Sequence, residues 1–155
     1  MTETATGAIT TREITITRVF DAPRELVWTA WTDPDQLARW WGKRGWTAVR
    51  STITLDVRAG GTFRLTTVRD EDGTEMPSEG VYREVVEPER LVLVESAESG
   101  CPENDGAVAV VTFTDLGDGR TRMVFRTTIL TTHENLDGAA AGMASAFDRL
   151  AEQLA

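Results

Sequence analysis

The feature that most narrows the fold is a change of period near the end of the chain. From residue 136 onward Leu136, Ala140, Met143, Phe147, Leu150 and Leu154 step by four and three, which puts one continuous apolar face on a helix. Ahead of that helix the chain alternates with period two, in segments separated by turn residues. Ile53, Leu55 and Val57 alternate with Thr54, Asp56 and Arg58, the pattern of a half-buried strand. Gly60-Gly61 turns into a strand from Thr62 to Arg69, and Asp70-Glu71-Asp72-Gly73 turns into one ending near Val86. Glu87-Pro88-Glu89-Arg90 leads into Leu91 to Ser96, Ala107 to Thr114 follows, and Asp115 to Gly119 turns into Arg120 to Ile129. Six consecutive strands joined by hairpins make an antiparallel meander, and the long helix that follows is expected to lay its apolar face on that sheet, a coiled-coil seam being the weaker alternative for so short a stripe. Gly138, Ala139, Ala141 and Gly142 carry almost no side chain and permit a close approach.

The front of the chain adds a strand and two helices. Ile14, Ile16 and Arg18 alternate with Thr15, Thr17 and Val19, so Glu13 to Phe20 is expected to be extended. Pro23 opens a short helix over Arg24 to Trp31, in which Leu26/Ala30 and Val27/Trp31 recur at i, i+4. Asp33-Pro34-Asp35-Gln36 supplies a capping acid, a proline at the first helical position and a glutamine three residues after the cap; a second short helix through Leu37, Trp40 and Trp41 ends at Gly42. A loop holding Gly45 and Trp46 comes next. The expected class is α+β: a curved antiparallel sheet of about seven strands, two short helices after the first strand, and a long C-terminal helix. Residues 1–11, small, polar and aperiodic, are expected to form a flexible tail, with residues 12–155 forming one domain. A chain of 155 residues can bury roughly 68–70% of its unfolded surface, enough for a full core.

Charge and cysteine content narrow the function classes. A net charge of −9 with no run of lysines or arginines would repel a phosphate backbone, which argues against a nucleic-acid partner. Cys101 is the sole cysteine and has no internal disulfide partner, which fits a reducing cytoplasm. The chain opens without a signal-peptide pattern and contains no apolar run near the 18 residues of a membrane span, so neither export by that route nor membrane insertion is expected.

Several runs resemble a known family. Val19-Phe20-Asp21-Ala22-Pro23-Arg24-Glu25-Leu26-Val27-Trp28, then Asp33-Pro34 through Trp40-Trp41, look like the opening of the START-like (SRPBCC, helix-grip) superfamily. Asp56-Val57-Arg58-Ala59-Gly60-Gly61-Thr62-Phe63, Gly80-Val81-Tyr82-Arg83-Glu84-Val85, Pro88-Glu89-Arg90-Leu91 and Ser145-Ala146-Phe147-Asp148-Arg149-Leu150 are similar to the bacterial homologues of the heat-shock chaperone ATPase activator, the AHSA-type branch. The resemblance runs from about Arg12 to the C-terminus. It implies a half-barrel sheet gripping the last helix, with a cavity between them. The superfamily spans lipid carriers, hormone receptors, polyketide cyclases, self-resistance proteins and chaperone regulators, so the fold leaves the function open.

The five tryptophans, Trp28, Trp31, Trp40, Trp41 and Trp46, all fall in the two short helices and the loop after them. In the resembled architecture these helices close one end of the cavity, which makes Trp31, Trp40 and Trp41 candidates for an aromatic ligand wall, with ordinary core as the alternative. Trp28 lies off the main stripe and is expected at the surface. Phe63, Leu65, Tyr82, Val94, Val110, Phe113, Phe125, Met143 and Phe147 are the further candidates to line the interior, with plain core the favoured reading of each. Tyr82 is the sole tyrosine, and its hydroxyl offers a polar anchor. Arg64, Arg83, Arg122 and Arg126 sit on strands, where an inward-facing guanidinium would favour a carboxylate ligand, although arginine usually faces out. His133, the sole histidine, precedes the last helix near the expected ligand entrance, with no nucleophile beside it in sequence.

No zinc-ligand spacing, phosphate loop, dinucleotide fingerprint or nucleophile elbow occurs, and no catalytic residue, metal or cofactor is assigned. The favoured reading is binding of a hydrophobic, lipid-like or polyketide-like molecule between sheet and helix. The rivals are a chaperone-associated stress-response protein that acts by docking, and a cyclase or self-resistance protein acting on a cavity-bound metabolite. Exposed sheet edges also leave a homodimer open.

Overall fold

A computed structural model describes residues 9–96 and 107–154. Its elements run β1 (Ile9–Phe20), α1 (Arg24–Thr32), α2 (Pro34–Trp40), β2 (Trp46–Ala48), β3 (Thr54–Leu55), β4 (Thr62–Arg69), β5 (Glu75–Val86), β6 (Arg90–Glu95), β7 (Val108–Asp115), β8 (Thr121–Thr132) and α3 (His133–Leu154). Seven strands follow the order β1-β8-β7-β6-β5-β4-β2, all neighbours antiparallel, and the two-residue β3 pairs with β4 beside β2. The expected α+β half-barrel with two short helices and a long closing helix is the observed architecture. Cys101 lies outside the described residues. Among the described residues no helix is long and apolar enough to cross a membrane.

Several local expectations need correction. β1 begins at Ile9 rather than Glu13, because it pairs with the twelve-residue β8 from Ile9↔Thr132 to Phe20↔Thr121. Trp46, expected in a loop, starts β2. The expected strand around Ile53 to Val57 shrinks to Thr54–Leu55, preceded by a single 3-10 turn at Arg50–Thr52. A side chain replaces the ladder there: Thr52 Oγ1 donates to Val49 O at 2.7 Å and accepts the Thr66 N–H at 2.9 Å. Asp33 does occupy the cap between α1 and α2, but its carboxylate caps nothing. Its backbone does the joining, donating to Thr29 O at 2.9 Å and accepting from the Leu37 N–H at 2.8 Å.

The core lies between the concave sheet face and the three helices. Trp28 is 5% exposed, against the surface position expected for it, with its ring edge-on to Phe113 at 5.8 Å. The apolar stripe of α1 is wide enough to bury Val27, Trp28, Ala30 and Trp31 together. On α3, Phe147 and Leu150 of the four-three stripe are buried, with Ala146 beside them.

Polar ties hold α3 at both flanks. On the β1 side the Arg18 guanidinium meets Asp148 Oδ1 at 2.5 Å and the Ala144 carbonyl at 3.2 Å. On the α2 side Arg149 donates to the carbonyls of Gly42 (2.9 Å), Trp46 (3.1 Å) and Arg39 (3.2 Å). These acceptors include carbonyls left without helical partners where α2 ends, so one guanidinium caps α2 and anchors α3 to it. Gly42 turns the chain out of α2 at φ +96°, a conformation that disfavours any residue with a Cβ.

Candidate ligand-binding site beneath the C-terminal helix

Strand alternation decides which side chains face α3. On β4 these are Phe63, Leu65 and Thr67; on β8 they are Met123, Phe125 and Thr127, all buried, while Arg122 and Arg126 of the same strand are exposed. A bulge between Tyr82 and Glu84 resets the register of β5 against β6. It leaves Tyr82 opposite Leu93 and Val85 opposite Leu91, so both pairs project inward.

The inward residues do not fill the space. A cavity of about 250 Å³ lies between sheet and helix, lined by Ile14, Trp31, Trp41, Phe63, Ser78, Leu93, Glu95, Ala107, Ala109, Phe125, Thr127, Ile129, Ala139 and Met143. A smaller void of about 30 Å³ shares Trp31, Trp41, Phe63 and Leu93 with it and adds Leu37, Leu55, Leu65, Tyr82 and Leu91. Outside them a hollow of about 210 Å³ opens between α3 and the turn after α2, lined by Trp41, Gly42, Lys43, Gly138, Ala139, Gly142, Met143 and Ala146. Trp41, Ala139 and Met143 belong to both the hollow and the main cavity, which makes them the wall between the interior and the outside. Another hollow, of about 410 Å³, lies at Glu25, Trp28, Thr29, Glu87 and Pro88, away from the sheet's concave face.

Seven of the twelve residues singled out from the sequence meet at these two interior spaces: Trp31, Trp41, Phe63, Phe125 and Met143 around the larger, with Leu65 and Tyr82 at the smaller. Five do not. Trp40 is fully buried behind the wall, its Nε1 donating to Ala30 O at 2.9 Å. Phe147 packs against Phe125 at 5.3 Å, and Phe113 lies between Trp28 and Trp31. Val94 and Val110 point to the convex face, where Val94 pairs with Val81 and Val108, and Val110 with Val92 and Arg126. The inward neighbours Leu93 and Ala109 take their places. Trp46 lies away from the cavity, beneath Lys43 and Arg69.

The polar inventory of the cavity is short. Ser78, Glu95 and Thr127 contribute oxygens, and the Thr127 hydroxyl donates to Val108 O at 3.1 Å. Arg64, Arg83, Arg122 and Arg126 are all exposed, Arg64 toward Glu79 and Arg126 toward Glu13, so none of these four guanidiniums enters. Tyr82 is 2% exposed, and burial, helped by the charge of Asp56, raises its phenol well above the ordinary value, so it stays protonated at any ordinary pH. The Trp31 indole N–H is buried and finds no hydrogen-bond acceptor. The side chain of His133 lies outside the described residues. Among the described residues no group of three or more His, Cys, Asp or Glu side chains gathers as a metal site would.

This arrangement has known counterparts. The family described as "Activator of Hsp90 ATPase homolog 1-like protein" matches residues 21–155. The chain belongs to this family. A solved protein of Chromobacterium violaceum superposes with a TM-score of 0.79 at 22% identity, covering 92% of this chain and 97% of its own. The AHSA1 protein of Silicibacter pomeroyi reaches 0.77 at 18% identity, covering 92% and 97%. A Mycobacterium smegmatis protein reaches 0.72 at 26% identity, covering 95% and 98%. These likenesses establish the AHSA-type helix-grip fold. No curated protein matches the sequence.

Proposed function

We propose that this AHSA1-like protein binds a hydrophobic small molecule, lipid-like or polyketide-like, in the cavity between the sheet and α3. The observation that carries the reading is the unfilled space of about 250 Å³ walled by Trp31, Trp41, Phe63, Phe125 and Met143. Protein interiors pack to crystal density and leave few voids larger than a water molecule. A longer side chain at Ala109 or Ala139 would close this space. Mostly apolar walls with a few polar groups are what small-molecule sites have in common. A lone cysteine is consistent with action in a reducing cytoplasm.

The test is a titration of protein carrying ¹⁵N-labelled tryptophan and ¹³C-methyl methionine with fatty acids, flavonoids, sterols and aromatic polyketides. A ligand should move the Trp31 and Trp41 indole signals together with the Met143 methyl, and leave Trp46 unmoved. Ala109→Phe, which fills the cavity from β7, should weaken binding at least about tenfold while the melting temperature holds or rises, because it adds buried apolar surface. Undiminished affinity in that variant, with the fold intact, would count against the cavity as the site.

The family description favours a second reading, docking on a chaperone in a stress response. Titration with purified Hsp90 separates the two. Broadening of the whole spectrum in the absence of any small molecule, undisturbed by Ala109→Phe, would favour docking.

A further inference from the structure

We infer that the Trp31 indole N–H is the polar anchor of the cavity, and that the ligand is an electrically neutral, flat apolar molecule bearing an acceptor oxygen, such as an aryl ketone. This rests on the ligand-binding reading above and narrows it.

Trp31 is 4% exposed and borders both interior spaces, yet its Nε1 has no acceptor. Buried donors in native proteins are almost always paired, and leaving one unpaired costs its full desolvation. The neighbouring Trp40 shows how the fold satisfies an indole that needs no ligand, with a carbonyl at 2.9 Å. Around Trp31 the protein supplies rings instead of oxygens: Trp40 at 4.9 Å, Trp41 at 5.9 Å, Phe147 at 6.1 Å, Phe113 at 6.3 Å and Phe125 at 6.5 Å between centroids. Trp31 lines the cavity, so a molecule bound there can bring the acceptor that the protein does not. An indole N–H can only donate, so the ligand group opposite it must accept.

Charge excludes one family of acceptors. Among the described residues lining the cavity none is lysine or arginine, while Glu95 places a carboxylate there. A carboxylate ligand would lose its hydration and meet no lysine or arginine among the described lining residues. A neutral carbonyl accepts the same hydrogen bond without that penalty. Phe125, nearly parallel to Trp31 with 24° between ring planes, gives a flat molecule a second aromatic surface.

Three probes on one skeleton test this: fluorene, 9-fluorenone and fluorene-9-carboxylate, titrated into the full chain and followed by the Trp indole ¹H–¹⁵N signals. Fluorenone should bind about three- to tenfold more tightly than fluorene, the span of one net hydrogen bond, and the carboxylate most weakly. Fluorenone should also shift the Trp31 indole proton downfield, which fluorene should not do. Trp31→Phe should abolish the preference for fluorenone, bringing fluorenone and fluorene to the same affinity as each other whatever the change in wall surface does to both. If that variant does not fold, the wild-type Trp31 proton shift decides alone. Equal binding of fluorene and fluorenone with no selective Trp31 shift would show the N–H engaged by a ring face and overturn the anchor, leaving the cavity reading intact. Binding of the carboxylate as tightly as the ketone would overturn the neutral-ligand inference. Failure of all three to bind would remove the cavity reading and the anchor with it.

Discussion

Gly80 shows how one missing side chain shapes the cavity. It sits mid-strand in β5 opposite Phe63, where glycine weakens a strand, and a Cβ built there would meet the Val94 carbonyl oxygen and come within 2.6 Å of Phe63 Cζ. The bare backbone lets the Phe63 ring fold across β5 toward Tyr82, at 5.7 Å between centroids. Phe63 can swing aside, but the carbonyl belongs to the β6 backbone and cannot. Gly80→Ala should therefore destabilise the fold by about 2–3 kcal/mol in urea denaturation, in the range of overpacked cores, and lower probe affinity by moving Phe63. A loss below about 0.5 kcal/mol would mean that β5 and β6 separate more readily than their pairing implies. Residue-level reading of the sequence worked where polar neighbours marked the alternation. Phe63 and Leu65 are flanked by Arg64 and Thr66, and Phe125 lies between Val124 and Arg126. It failed at Val94 and Val110, because Leu91-Val92-Leu93-Val94 and Val108-Ala109-Val110-Val111 are continuous apolar runs with no period to read. Along α2 and just beyond it, Trp40 and Trp41 differ by one position, which sends one ring behind the wall and the other into it.

At the scale of elements, α3 closes the cavity and Arg149 ties it to α2. The helical pattern placed Arg149 off the apolar stripe, and its role became visible only once the ends of α2 and β2 were in place around it. Arg149→Met keeps much of the stem and removes the donors to Gly42, Trp46 and Arg39. The expected loss is about 1.5–3 kcal/mol, measured by chemical denaturation, as for hydrogen bonds from a charged group. Arg149→Lys should recover only part of it, since an ammonium lacks the planar fork that reaches several carbonyls. Hydrogen exchange at Trp41 and Gly42 should rise in Arg149→Met; unchanged exchange there would place the role of Arg149 elsewhere. Asp33-Pro34 was legible as a helix junction. That the Asp33 backbone, and not its carboxylate, makes the joint was not, because a capping sequence does not fix the cap rotamer.

For the molecule as a whole, acid sensitivity follows from exposed carboxylates. Arg50 holds Asp35 below its ordinary value of 3.8, hydrogen bonds from Thr74 do so for Asp72, and Arg120 for Asp118. Their pKa values are lower folded than unfolded, so as pH falls the unfolded chain takes up protons first. The stability they contribute is fully present above about pH 4 and is lost as pH drops through the folded values. Urea midpoints should be flat from pH 7 to 5 and fall between pH 4 and 2, and Asp72→Asn should reduce the slope. A midpoint constant down to pH 2 would contradict this. The sequence alone determined the order of every element except the short β2, the antiparallel meander and the closing helix, because periods of two and of about 3.6 residues are local properties of a chain that must bury one face. Tertiary structure decided the rest: which face of the apolar runs in β6 and β7 turned inward after the β5 bulge, which tryptophans became wall and which became core, and that space was left among them. Those outcomes depend on strand register and on the volumes of side chains far apart in sequence, and no local pattern encodes either.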